Sequence, residues 1–194
     1  MRVGLLGGSF NPAHEGHLHV ARIALRRLRL DQVWLMVSPG NPLKQSAGMA
    51  TLSQRLASAR AIADGHRIIA TAIEARIHTR YTVDTLRRLH QMFPRIQFVW
   101  LMGADNLVQL PAWNEWLEIA RHSVFAVLPR PTYNHRALAG QAALRLRRFR
   151  RLERCAPALA GLGPPSWVFL PAPQNSQSAT AIRARLLGVF RHRP

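Results

Sequence analysis

The feature that most constrains this chain is an alternation of hydrophobic periods. Strand-length apolar runs are separated by stretches whose apolar residues recur at helical spacing. Residues 2–6 form such a run, a glycine pair follows, and 15–28 then places Leu18, Ala21, Ala24, Leu25 and Leu28 along one stripe. Val33 to Val37 reads as a buried strand ended by the breakers Ser38-Pro39-Gly40-Asn41-Pro42, with a helix over 52–63 after it. The same reasoning predicts strands at 67–70, 96–102, 123–128 and 167–170, and helices at 82–92, 136–151 and 180–187. An aromatic turn or short helix is expected over 107–119, and irregular loops over 39–50 and 154–166. Strands that alternate with helices require crossovers, so the expected class is α/β, a Rossmann-like doubly wound parallel sheet. In such a sheet a ligand sits beyond the carboxyl ends of the strands, near the point where strand order reverses.

The length of 194 residues fits a single domain over 1–194, with no linker or repeat. Hydrophobic residues at 48% and charged residues at 19% are in the globular range. The apolar start is too short for a signal-peptide core, and no run approaches the ~18 apolar residues of a membrane span, so a cytoplasmic location with no membrane partner is expected. Cys155 is the one cysteine, which excludes an internal disulfide and a thiolate zinc cage within one chain and leaves packing as its role.

Charge is the unusual quantity. Lys and Arg number 27 against 9 Asp and Glu, a net +18, which favours polyanionic partners such as nucleotides, RNA or phosphorylated metabolites without choosing among them. So few carboxylates disfavour a dedicated metal cage, and no metal ligand is assigned. Any Mg²⁺ is expected to arrive on the phosphates of a nucleotide. The arginines 145, 147, 148, 150, 151 and 154 read as the solvated face of a basic helix whose field attracts anions. A nucleic-acid-binding module is the rival reading from another class, but no stacking platform or recognition motif supports it.

The chemistry concentrates in Gly7-Gly8-Ser9-Phe10-Asn11-Pro12-Ala13-His14-Glu15-Gly16-His17. Two glycines let the backbone turn with its amides exposed, and the turn leads into a helix start, where amides and macrodipole favour an anion. His14 and His17, three apart, share one helical face, so both imidazoles can reach one phosphate. A zinc site lacks nearby third and fourth ligands. Donors held around a phosphate stabilise phosphoryl-type transfer mainly through position and charge.

This segment resembles the G-S-F-D-P-x-H-x-G-H signature of the HxGH nucleotidyltransferase superfamily, and within it the bacterial nicotinate-nucleotide adenylyltransferases. Ser38-Pro39-Gly40-Asn41-Pro42-Leu43-Lys44 is similar to the family's P-x-x-x-P-x-K loop, and Tyr81-Thr82-Val83-Asp84-Thr85-Leu86 to its S-Y-T-x-D-T-L segment. Met102-Gly103-Ala104-Asp105-Asn106 resembles its G-x-D strand end, and Ser178-Ala179-Thr180-Ala181-Ile182-Arg183 its S-S-T-x-I-R. Asn11 and Ala179 depart from the family's Asp and second Ser.

The resemblance implies transfer of AMP from ATP to nicotinate mononucleotide, giving deamido-NAD and pyrophosphate in NAD biosynthesis. It implies His14, His17, Lys44 and Arg183 as catalytic residues. ATP would be bound by Gly8, Ser9, Phe10, His14, His17, Gly103, Asp105, Ser178, Thr180 and Arg183, and the nicotinate nucleotide by Lys44, Thr85 and Trp113. Mg²⁺ would come with ATP. Acceptors within the class remain open to nicotinamide mononucleotide or pantetheine phosphate. His14 argues against the latter, whose enzymes resemble Thr at that position, and Ser9 and Asn11 argue against archaeal-type nicotinamide enzymes. An oligomer is compatible with all of this.

Overall fold

The computed structural model describes residues 1–40 and 48–173. Seven strands form one sheet: β1 (Arg2–Gly8), β2 (Gln32–Val37), β3 (Ile68–Thr71), β4 (Gln97–Gly103), β5 (Val124–Leu128), β6 (Arg150–Arg151) and β7 (Trp167–Phe169). Their order is β3-β2-β1-β4-β5-β7-β6 and every pair is parallel. Both faces of a parallel sheet are covered, which is why the central strands are predominantly apolar rather than alternating, while the edge strand β6 is two exposed arginines. On one face Leu6, Leu101, Val99 and Ala126 pack against Ala21, Ala24, Leu25 and Leu28 of the first helix, α1 (Glu15–Arg27). On the other, Leu5, Phe98, Trp100 and Phe125 meet Val83, Leu86 and Leu89.

The topology locates the crevice. The chain runs outward from β1 to β3, then returns to lay β4 on the other side of β1. Strand order therefore reverses between β1 and β4. These two strands pair from Arg2↔Gln97 to Leu6↔Leu101, after which Gly7 and Gly8 continue beside β2 alone. The carboxyl ends of β1 and β4 thus open a cleft where nucleotide sites form in such sheets.

The remaining helices are α2 (Leu52–Ile62), α3 (Ile73–Arg76), α4 (Thr82–Met92), α5 (Ala104–Gln109), α6 (Trp116–His122), α7 (Asn134–Leu138) and α8 (Gln141–Arg145). The basic helix expected over 136–151 does not exist as one element. Gly140 breaks it with extended backbone, and a Cβ there would lie 2.8 Å from the Arg136 carbonyl. The chain continues as α8, a 3₁₀ turn at Arg147–Phe149, and the edge strand β6. The predicted loop over 154–166 holds a 3₁₀ helix, Glu153–Gly161, whose Ala156, Leu159 and Ala160 are buried; Pro157 inside it lacks the donor an α-helix would need. α3, four residues long, is too short for periodicity to reveal. The glycine pair, expected in the turn, instead ends β1, and a Cβ on Gly7 would lie 2.8 Å from the Trp100 ring. The helix expected over 180–187 lies outside the described residues. Among the described residues no helix is long and apolar enough to cross a membrane.

Candidate active site

The loop leaving β1 is held from beneath. Phe10 adopts a left-handed φ of +48°, a strain of about 1–2 kcal/mol for a residue with a Cβ; it is 1% exposed, and its ring centroid lies 4.6 Å from that of His17 with the planes tilted by 41°. The Phe10 side chain therefore props His17. Asn11 Nδ2 donates to the Gly48 carbonyl at 3.3 Å, and its Oδ1 accepts from the Ala50 amide at 3.2 Å. An aspartate could keep the second bond but not the first, which gives a local reason for Asn here. Ala13 N–H donates to Ser58 Oγ at 2.9 Å, tying the loop to α2.

His14 is the N-cap of α1 rather than a member of its first turn. Its Nδ1 accepts from the Gly16 amide at 3.1 Å, and its own amide donates to His17 Nδ1 at 3.2 Å, a reciprocal capping box. A ring nitrogen that accepts a backbone N–H carries no proton, so in each neutral ring the proton sits on Nε2. The two rings lie 3.9 Å apart between centroids. Capping thus orients both histidines with an Nε2–H donor left over for a ligand.

Both are neutral at physiological pH. Burial lowers the His14 pKa first and the Arg130 charge adds to it. His17 is pushed down to about 3 by burial, then by His14 and Arg130, against a raising effect of the hydrogen bond from the His14 backbone. These directions belong to the ligand-free site. A phosphate oxygen facing Nε2 would raise both values.

Arg130, at the carboxyl end of β5, links the two sides of the cleft. Its charge acts on both histidines, and its Nε lies 3.6 Å from Asp105 Oδ1 in the first turn of α5. Both atoms are enclosed without a hydrogen-bond partner. Gly103, last residue of β4 and N-cap of α5, makes room for this pair: a Cβ there would collide with the Asp105 carboxylate and approach the Arg130 side chain to 3.1 Å. Gly8, Ser9, His14, His17, Gly103 and Asp105 therefore converge around the β1–β4 opening. A shallow cleft runs on from it between α1 and the end of β5, lined by Gly16, Val20, Leu128, Arg130 and Pro173.

Thr85 is 0% exposed; its hydroxyl donates to Glu74 Oε1 at 3.1 Å and lies 2.9 Å from the Thr79 hydroxyl. Burial raises Glu74 to about 7, opposed by the Thr85 hydrogen bond. Trp113 is half-buried, packed edge-on at 6.4 Å against Trp100, the ring that fills the space beside Gly7. Lys44, Ser178, Thr180 and Arg183 lie outside the described residues. Among the described residues no three His, Cys, Asp or Glu side chains cluster as metal ligands. Sequence reasoning missed Arg130 and Arg55. The first had a signal, an arginine just past the carboxyl end of a central strand; the second had none, since Arg55 resembles any helix-surface arginine in sequence.

A doubly wound parallel sheet with a capped histidine pair at its switch point and an arginine beyond the neighbouring strand β5 is the architecture of a nucleotide-binding transferase. The cytidylyltransferase-like family model matches residues 5–185, and the chain belongs to that family. It is 61% identical over 183 residues, 94% of each chain, to the probable nicotinate-nucleotide adenylyltransferase of Gluconobacter oxydans. Its identity to the protein of the same description from Gluconacetobacter diazotrophicus is 60% over 186 residues, 96% of this chain and 86% of the relative. Among solved structures it is similar to the nicotinic acid mononucleotide adenylyltransferase of Plasmodium falciparum complexed with NaAD. That match has a TM-score of 0.70 at 16% identity over 94% of this chain and 82% of the other, a likeness of fold.

Proposed function

We propose that this chain is a nicotinate-nucleotide adenylyltransferase, transferring AMP from the magnesium complex of ATP to nicotinate mononucleotide and releasing pyrophosphate, a step of NAD biosynthesis. The observation that carries the chemistry is the capped pair His14 and His17, whose Nδ1 atoms are engaged in helix capping and whose Nε2–H groups remain as donors. The acceptor follows from relatives described as nicotinate-nucleotide adenylyltransferases at 60% and 61% identity. The Plasmodium protein's NaAD complex shows that this fold accommodates the product dinucleotide in that enzyme.

A phosphate oxygen of the mononucleotide attacks the α-phosphorus of ATP, the bond to the bridging oxygen breaks, and pyrophosphate leaves with the electron pair. The attacking phosphate is already anionic, so no general base is needed. The chain supplies position and charge. Neutral imidazole donors meet the charge that builds on the triphosphate, Arg130 adds a fixed cation, and the Gly8–Ser9–Phe10 backbone lines the loop. Lys44, Ser178, Thr180 and Arg183 complete the triphosphate site in this reading, Asp105 takes the ribose hydroxyls, Trp113 serves the pyridine ring, and Thr85, enclosed against Glu74, supports that site from behind. Mg²⁺ is held by the phosphates themselves.

The test is pyrophosphate release with ATP and each of nicotinate mononucleotide, nicotinamide mononucleotide and pantetheine phosphate. Preference for nicotinate mononucleotide is expected; preference for either other acceptor would overturn the assignment. Salt-sensitive RNA binding that survives replacement of His14 and His17, without pyrophosphate release, would instead support the nucleic-acid reading.

A further inference from the structure

One buried charge has no task in this scheme. Arg55 of α2 is 3% exposed and pairs with no carboxylate among the described residues. Instead it donates to four carbonyls: Nε to Ala50 at 3.0 Å, Nη1 to Ser9 at 2.8 Å and Ser38 at 2.7 Å, and Nη2 to Pro39 at 3.3 Å. Its own helix does not need it, because Thr51 and Gln54 already form a capping box there. The carbonyls accept from four of the five guanidinium N–H donors, yet they leave a whole positive charge buried without a counter-ion among the described residues, an arrangement with a large desolvation cost. The four acceptors come from three segments: the loop after β1, the end of β2, and the approach to α2.

The geometry of the peptide unit converts these bonds into something a ligand can use. In a trans peptide the N–H points opposite to the C=O. With the Ser9 carbonyl turned inward to Arg55, the Phe10 N–H is directed away from the guanidinium. With the Pro39 carbonyl turned inward, the Gly40 N–H is directed away likewise. Phe10 is also the strained residue of the loop, at φ +48°. Such a conformation persists only where its surroundings over-determine it. The buried ring holds it from one side, and the bond to the Ser9 carbonyl from the other.

We propose that Arg55 is a positioning residue for the triphosphate: it fixes the Ser9–Phe10 and Pro39–Gly40 peptides with their N–H groups toward the phosphates and places an uncompensated positive charge behind them. The assignment rests on reading the loop as the triphosphate cradle. A cation behind the loop and donors in front of it act on the same anion, while the guanidinium itself touches no reacting atom.

The experiment compares wild type with Arg55→Lys and Arg55→Gln, each at a temperature where circular dichroism shows it folded. Inorganic triphosphate binding is read by titration calorimetry, and turnover with ATP at saturation. Lysine keeps the charge but spans fewer carbonyls, so affinity for triphosphate should fall about 10-fold and kcat by a similar factor; glutamine should cost about 100-fold. A lowered unfolding midpoint with wild-type affinity and kcat per folded molecule in Arg55→Lys would overturn the proposal. Should Arg55→Gln not fold, Arg55→Lys and amide exchange of the wild-type protein decide: triphosphate should slow exchange at Phe10, and unchanged exchange overturns the assignment. A wild-type protein that neither binds triphosphate nor releases pyrophosphate would sink the reading of the site itself. Wild-type activity with indifferent Arg55 variants removes Arg55 alone.

Discussion

At the start of α1, burial strips the charge from two imidazoles while a cation, Arg130, stands beside them; around α3 and α4, burial raises the Glu74 carboxyl to about 7 with the Thr85 hydroxyl donating to it. The first arrangement is short of negative charge. Neutral histidines next to an arginine gain from any anion that arrives, and Arg55 repeats the pattern just behind the loop. The second is a closed hydrogen-bonded set, with Thr85 enclosed against Glu74 and no cation in contact among the described residues. In the proposed reaction between a polyphosphate and a ring-bearing nucleotide, the first region would select by charge and the second would support a site that selects by fit.

The sharpest way to break this comparison is to separate the two jobs of His14. Asparagine is a strong N-cap, so His14→Asn should keep α1 capped, with stability within about 0.5 kcal/mol of wild type, while removing the Nε2–H donor. Turnover is expected to drop on the order of 10²- to 10³-fold, the usual effect of losing one preorganised donor. Pyrophosphate-release kinetics alongside thermal unfolding measures both. Full turnover in a stable His14→Asn protein would reduce the histidine to a cap.

Arg130→Met comes next, with an expected loss of about 10- to 100-fold in kcat/KM for ATP. The variant also has an effect that simple loss of packing would not produce. Because the Arg130 charge lowers both imidazole pKa values, removing it should raise them. Titration of the His14 and His17 ring resonances between pH 3 and 8 tests this, and unmoved midpoints would show that the arginine does not face the pair.

Glu74 tests the other end. Its pKa is about 7 folded against an ordinary 4.5, so its contribution to stability is complete below pH 4.5 and is lost as pH rises toward 7. His17 has the opposite sign: with about 3 folded against 6.5, it costs stability as pH falls from 6.5 toward 3. Glu74→Gln retains an acceptor for Thr85 and cannot ionise. It should stabilise the protein by about 2 kcal/mol at pH 8 and have little effect at pH 4.5, read by urea unfolding. Equal effects at both pH values would mean that Glu74 is not the buried carboxyl described.

Much of this was legible in the sequence, for identifiable reasons. Helix α4 falls on the predicted 82–92 because a long apolar period with no glycine leaves little choice. The strands of the centre follow from apolar runs, and their parallel pairing follows from alternation with helices. The loop's anion chemistry was visible because its residues are contiguous. What was hidden depends on partners far along the chain. Gly7 exists for Trp100, Gly103 for the Asp105–Arg130 pair, and Arg55 for carbonyls up to 46 residues away. The six arginines are exposed, as their density implies, but one helix over 136–151 does not form, because Gly140 and the buried Ala142, Ala143 and Leu146 interrupt it.

Asn11 gives the smallest effect and the finest test of the charge-selecting end. Asn11→Asp keeps the acceptor for the Ala50 amide, loses the donor to the Gly48 carbonyl, and adds a negative charge beside a loop that is short of one. Losing a half-exposed hydrogen bond costs about 0.5–1.5 kcal/mol, and the added charge is partly screened by solvent. KM for ATP should therefore rise about 2- to 5-fold with kcat nearly unchanged, and the rise should shrink as ionic strength increases. A salt-independent rise would assign the effect to the lost bond with Gly48 alone. A hundredfold fall in kcat would mean that Asn11 acts on the reacting phosphates, and the division between a loop that selects by charge and side chains that hold the loop in place would have to be redrawn.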